Sequence, residues 1–434
     1  MAWLTVGAIM VTLVALAISA FGMSAIPRII VIAQAIYWTI SYVVRPLFLL
    51  AFQPNPPVRD GISDQRLSAG GYEDGVYEVL KPILFGLIVY MVLILLVSRY
   101  LSGKRFPLNS PSFVRSQGQT TLFALLIVVG WIFRGMSVVL GGSSLTSTMQ
   151  LLAIVGCGGL IIYSPKRPRN GERMLLYAAI ASEALWTFVS ASKTPLIAAI
   201  IFVVMRFSIA GWTRKRVAFV LVAALVMIVG FASFQQFKLS QISADSVSDF
   251  SKSDYPRWSR PLLPIVQRFD QFSAVTDARL AGESSWLTGP EMITHAFGTF
   301  LPQTLSGEKV SAGLLWNTEV RAYSLQDAEY SSVSLAEGFV AEGYVAGGYG
   351  GIALEAIWIL VGLVLVSMLL AHGGVFSRSL GVLCIGFPIL FERGFLGGVE
   401  TISKGIQVSA LIYVVWILFV IKAEKVGPHA RTIT

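Results

Sequence analysis

Apolar runs of about 17–25 residues recur from one end of this chain to the other, the pattern of transmembrane helices. The runs fall at 3–21, 29–52, 79–97, 119–133, 145–163, 174–190, 195–210, 217–235, 348–370, 380–392 and 405–421. They predict an all-α polytopic membrane protein with about eleven spans, the 380–392 run being short enough to be tilted or broken. Composition agrees, since only 13% of the 434 residues are charged, about half the roughly 25% of a globular domain. The first run has no Lys or Arg ahead of it and therefore reads as a retained helix rather than a cleaved signal. Cys157 and Cys384 both lie inside apolar runs and read as buried free thiols, with no disulfide or metal framework.

Charge sets the orientation. Lys and Arg crowd the loops at 99–115, 164–173 and 206–216, and the tail adds Lys422, Lys425 and Arg431. These elements alternate so as to share one face, which the positive-inside rule makes cytoplasmic. Only Glu172 and Glu424 fall on that face, an independent asymmetry. The expected layout is an N-terminal helix bundle over 1–234, a large outer (periplasmic) loop over 235–347 with short amphipathic helices, and C-terminal spans and a tail over 348–434. The N-terminus then lies outside. Within the large loop, 240–254 is Ser/Asp-rich and reads as disorder-prone. The stretch 261–281 has apolar residues near helical spacing, with Arg268 and Arg279 eleven apart and hence on one face.

Several chemistries are missing. There is no Walker-type phosphate loop and no His-Glu-x-x-His zinc pattern, and the three histidines are scattered. No Asp-x-Asp is present to hold a metal against a nucleotide sugar. The Ser-x-x-Lys match in "SASK" (190–193) lacks the companions of a penicillin-binding site. What remains is a set of cations assigned to the outer side: Arg134, Lys193, Arg257, Arg260, Arg268, Arg279, Arg321 and Arg393, with Lys404 nearby. Cations held there against the positive-inside bias point to an anionic ligand, and a diphosphate suits the bidentate guanidinium fork. Arg45, Glu183 and Glu355 lie deeper, either paired across helices or lining a polar cavity.

The stretch "EGFVAEGYVAGGYGGIALE" (337–355) sets three glutamates and a run of glycines where a span begins. Gly343, Gly347 and Gly351, at i, i+4 and i+8, would form a bare stripe on one helix. Glu337 and Glu342 would sit above it at the interface, with Glu355 deeper and paired.

"AEGYVAGGYGG" before a late span resembles the oligosaccharide repeat-unit polymerases, the Wzy-type O-antigen polymerase family. The matching residues are Glu342, Tyr344, Gly347, Gly348 and Gly351. "SASKTPLIAAII" followed by a basic turn is similar to a mid-chain helix start in those proteins, and the order of about eight spans, one large outer loop and about three spans agrees. The resemblance implies a GT-C-like, metal-independent glycosyltransferase of the bacterial inner membrane, needing no cofactor. It would transfer a glycan from undecaprenyl diphosphate to a new lipid-linked repeat unit at the periplasmic face. Its partners would be those lipid-linked oligosaccharides, membrane lipids, a chain-length regulator and a flippase, with no nucleic acid. Arginines would neutralise the departing diphosphate and a base would take the acceptor proton. The related O-antigen ligases carry a His-Asn pair just before the Glu/Gly stretch, where this chain reads "YSSVSLAEG" (330–338). That departure favours polymerase over ligase and leaves Glu337, Glu342 and His295 as candidate bases. A lipid-linked sugar transporter is the main alternative, expected to show broken helices in matched halves and no dominant outer loop.

Overall fold

The computed structural model describes residues 1–53, 67, 71–102, 116–140, 144–165, 168–190, 194–223, 256, 258–259, 262, 266, 269–281, 286–301, 310–321, 337–386 and 389–426. Every regular element among them is helical. In chain order they are α1 (Ala2–Ser19), α2 (Ala25–Thr39), α3 (Arg45–Phe52), α4 (Tyr72–Ser98), α5 (Gln117–Leu140), α6 (Ser144–Met149), α7 (Leu151–Ile162), α8 (Asn170–Val189) and α9 (Thr194–Ala210). There follow α10 (Phe272–Ala281), α11 (Gly289–Gly298), α12 (Ala312–Leu315), α13 (Gly338–Ala371), α14 (Val375–Gly386), α15 (Ile389–Glu392) and α16 (Phe395–Val426). Wider π-type turns join α2 to α3 at Ile40–Val44 and continue α12 over Trp316–Arg321.

Eight helical segments are long and apolar enough to cross a membrane: Ala2–Gly22, Ala25–Phe52, Tyr72–Ser98, Gln117–Leu140, Leu145–Ile162, Gly338–Ala371, Val375–Glu392 and Phe395–Phe419. α1 illustrates why these are membrane helices. Val6, Ile9, Leu13 and Leu16 are buried on one face, yet Leu4, Val11, Val14 and Ile18 are exposed on the other. A soluble helix would put charge there. The protein is therefore an all-helical, multi-pass membrane protein.

The eight differ from the eleven expected in three places. α8 is a helix of 20 residues that carries Glu172, Arg173 and Glu183, so it is not among the eight. α9 is apolar but only 17 residues long. Of the 217–235 run, only the part to residue 223 lies within the described residues. Segment 240–254 lies outside them altogether.

Residues cluster into two compact units, Met1–Arg105 with Trp212–Val364 and Ile389–Glu400, and Phe106–Gly211 with Leu365–Pro388 and Thr401–Thr434. In the first, α1 packs along α4 and α2, and α10 packs against α4 and the Trp316–Arg321 turn. In the second, α7 is the core. Every residue from Leu152 to Ile162 is buried, and α5, α8, α9 and α14 pack around it. Its glycines allow this, because a Cβ at Gly156 or Gly159 would run into α5 at Phe123.

α13 is not one straight rod. Gly347 and Gly348 leave the helical region, and Gly348 has φ 56° and ψ −138°, a conformation open to glycine alone. In a continuous helix Gly343 and Gly351 would stand about 12 Å apart. Here they touch: a Cβ at Gly351 would overlap the Gly343 carbonyl oxygen, and one at Gly343 would overlap the Ile352 backbone. Gly86 of α4 likewise meets Phe339, Val340 and Ile352 together. The segment is a helical hairpin, with a short first arm from Gly338 and a long second arm reaching Ala371. This corrects the expected stripe of Gly343, Gly347 and Gly351 on one helix. Gly343 and Gly351 face each other across the hairpin, and Gly347 lies in its bend.

Two substitutions separate these roles. Gly351→Ala forces the arms apart and is expected to cost about 1–3 kcal/mol, the usual penalty for overpacking. Gly350→Ala points into open space and should leave stability unchanged or slightly raised. Unfolding midpoints in detergent read the difference.

Candidate functional site

α15 ends at Glu392 and α16 begins at Phe395, so two residues, Arg393 and Gly394, interrupt what would otherwise be one helix. Such an interruption frees carbonyls on one side and amides on the other, and both must find partners when buried. Both do. The Leu390 carbonyl accepts from Gln34 Nε2 at 2.8 Å. The Phe391 carbonyl accepts from Trp38 Nε1 at 3.3 Å and from Gln271 Nε2 at 3.2 Å. The two glutamines are themselves oriented, Gln34 by the Tyr90 hydroxyl at 2.8 Å and Gln271 by that of Tyr42 at 3.1 Å.

The amides meet carboxylates. Phe395 N–H donates to Glu355 at 3.1 Å and Leu396 N–H to Glu342 at 3.2 Å. Hydrogen bonds to a charged group contribute about 1.5–3 kcal/mol, and the positive end of a helix favours a negative partner. Glu337 joins them from the residue before α13 and takes the Arg393 guanidinium at 3.3 Å. All three glutamates are buried, at 1% (Glu337), 0% (Glu342) and 5% (Glu355) exposure. Burial pushes the Glu337 carboxyl above its ordinary range, against the pull of Arg393. The arrangement needs the hairpin bend and small residues: a Cβ at Gly394 would overlap the Glu342 carboxylate, and one at Gly397 that of Glu337.

The hairpin is also held from α10. Asp270 caps that helix, accepting from Ser273 N–H at 2.9 Å, and pairs with the buried Arg45 at 2.7 Å. At its other end, Arg279 donates to the Tyr344 hydroxyl and to Glu78 at 3.1 Å. The guanidinium lies 5.4 Å from the Tyr344 ring centre. A helix was expected in 261–281 and is found over Phe272–Ala281; most of its residues are buried among other helices.

The sequence-derived candidates separate as follows. Glu337, Glu342 and Arg393 converge at the break. Both glutamates are buried among the helices of the hairpin and α16. Arg279 reaches the hairpin through Tyr344. Arg134 is in the other unit, with its fork on Glu183 at 2.8 and 2.7 Å. The rings of Trp131 and Trp186 flank it at 5.5 and 5.1 Å, and both charged side chains are 1% exposed. His295 is half-buried in the last turn of α11, and the carboxylates' described hydrogen bonds run to α16 and Arg393 rather than to it. Arg321 ends the Trp316–Arg321 turn, its side chain lying outside the described residues, as do Lys193, Arg257, Arg260 and Arg268. Among the described residues, no group of three or more His, Cys, Asp or Glu is arranged to hold a metal ion.

Sequence reasoning passed over Glu355 as a site residue, and Gln34 and Gln271 entirely. For Gln34 the available signal was a glutamine inside an apolar run, because a buried amide is retained only where something needs its hydrogen bonds; Gln271, in the expected outer loop, carried no such signal. Comparison with protein-family models, curated proteins and solved structures finds no match.

The Arg134–Glu183 pair yields a direct test. Arg134→Met strands a buried carboxylate and is expected to cost about 3–5 kcal/mol, whereas Arg134→Met with Glu183→Leu should recover most of that loss. Denaturant unfolding of the single and double variants in detergent measures both.

Proposed function

We propose that this protein is a membrane glycosyltransferase that polymerises lipid-diphosphate-linked oligosaccharide units into a surface polysaccharide, in the manner of the O-antigen polymerases its sequence resembles. The observation that carries the reading is the Glu337–Arg393 pair at the helix break. Glu337 is a carboxylate shifted toward neutrality by burial, and the Arg393 side chain is 29% exposed. A base poised this way accepts a proton from a sugar hydroxyl, and a guanidinium beside it meets the charge that develops on a departing diphosphate. The acceptor oxygen bonds to the anomeric carbon as the bond from that carbon to the phosphate oxygen breaks. The proton passes to Glu337 and the lipid diphosphate leaves with its electron pair. Glu342 holds the N-terminus of α16 in place, and Arg279 holds the hairpin through Tyr344. The periplasmic placement of the site and the participation of Lys193, Arg257, Arg260, Arg268 and Arg321 belong to the same proposal.

One observation favours a second reading. Helices interrupted at Gly347–Gly348 and at Arg393–Gly394, with buried carboxylates between them, also suit a transporter for lipid-linked sugars.

Purified protein incubated with lipid-linked repeat units separates the two. A ladder of extended products supports the transferase, and Glu337→Gln should lower its rate about 10²–10⁴-fold, the usual worth of a general base. Translocation of the labelled lipid across a liposome bilayer with no ladder supports the transporter. Arg393→Gln that leaves extension at the wild-type rate would remove Arg393 from the diphosphate site.

A further inference from the structure

Among the described residues, Glu342 and Glu355 at the break each have one oxygen with a donor and one without. Glu337 Oε2 takes Arg393, Glu342 Oε1 takes Leu396 N–H, and Glu355 Oε1 takes Phe395 N–H. Glu342 Oε2 and Glu355 Oε2 are buried and have no hydrogen-bond partner among the described residues. A buried acceptor left bare costs about 1–3 kcal/mol, and more if it is charged.

Charge balance sharpens the point. Arg393 answers Glu337, and Glu392 and Glu400 draw on the same guanidinium. Glu400 also accepts from Ala312 N–H at 3.2 Å. The described charged groups acting on Glu342 and Glu355 are each other, Glu337 and Arg393. Otherwise these two carboxylates have one helix end, where they accept from the adjacent Leu396 and Phe395 amides. A helix N-terminus supplies roughly half an elementary charge, too little for two full negative charges in a dry site. Two carboxyl groups in that position are stabilised when they hold one proton between them. A metal ion would serve the same balance, but the three glutamates are not arranged to ligate one.

We propose that Glu342 and Glu355 share a bound proton at neutral pH, which makes the α15–α16 break a proton-binding site. Glu342 lies on the first arm of the hairpin and Glu355 on the second, and both grip the first amides of α16. The proton therefore fastens three helical segments together, and its loss places two negative charges on one helix end. The shared proton stabilises the hairpin against the start of α16. The inference rests on the break's geometry and not on the transferase reading, so a protein that forms no polymer still tests it.

The test is infrared difference spectroscopy of the whole protein in lipid nanodiscs, with no substrate added. Wild type is expected to show a protonated-carboxyl stretching band at neutral pH that shifts in heavy water and is lost in alkali. Glu342→Gln and Glu355→Gln should each abolish it, an amplitude of about one carboxyl group per chain. Glutamine keeps the acceptor and supplies an N–H in place of the proton, so both variants should run as folded protein in size-exclusion chromatography. If one does not, the other carries the comparison. A wild-type spectrum showing only ionised carboxylate, or a band untouched by both substitutions, overturns the proposal. So does a band that vanishes when sodium or magnesium is added, since the site would then hold a metal cation.

Discussion

The bare backbone at Arg393–Gly394 is the constraint on which the first compact unit is organised. An unbroken helix satisfies its own N–H and C=O groups; an interrupted one inside an apolar surround does not, and each group left over costs several kcal/mol. Here the carbonyl side is met by Gln34, Trp38 and Gln271, and the amide side by Glu342 and Glu355. Those five side chains come from α2, the residue preceding α10, and both arms of α13. Elements far apart in sequence are thereby fixed around two residues of irregular chain.

The hairpin in α13 follows from the same requirement. Glu342 and Glu355 are thirteen residues apart, about 20 Å along a straight helix, and could not both reach neighbouring amides unless the chain folded back between them. Gly348 supplies the backbone conformation for the bend, and Gly343 and Gly351 supply the contact between the arms. The other unit treats its buried charge differently. Arg134 and Glu183 meet each other bidentately between two tryptophans, an arrangement in which each charge is met by its opposite. At the break the described acids outnumber the described cations that act on them, and this imbalance distinguishes it from the Arg134–Glu183 pair.

Much of the architecture was legible in the residues. Apolar runs announced the membrane helices, because nothing else explains a helix that is apolar on its exposed face. The glutamates and glycines of residues 337–355 marked the segment that the structure makes irregular. The expectation of a bare glycine stripe failed for a specific reason. Spacing of i, i+4 and i+8 defines a face only if the helix is continuous, and the spacing carries no sign of a break at Gly347–Gly348. The count of spans diverged at α8, which carries Glu172, Arg173 and Glu183, at α9, which is 17 residues long, and in the 217–235 run, of which only the part to residue 223 is described.

Sequence alone determined that this is a polytopic helical protein, that its buried thiols are unpaired, and that residues 337–355 are exceptional. Each of those conclusions depends on composition or local pattern, which a linear reading captures. Tertiary structure decided which charges are neutralised and which are not. It assigned Arg134 to Glu183, Arg45 to Asp270 and Arg393 to Glu337, and it gathered Glu342 and Glu355 at the start of α16. Pairing is a question of distance between segments that the chain separates by tens or hundreds of residues. The energy of a buried charge depends on that distance far more than on its neighbours in sequence.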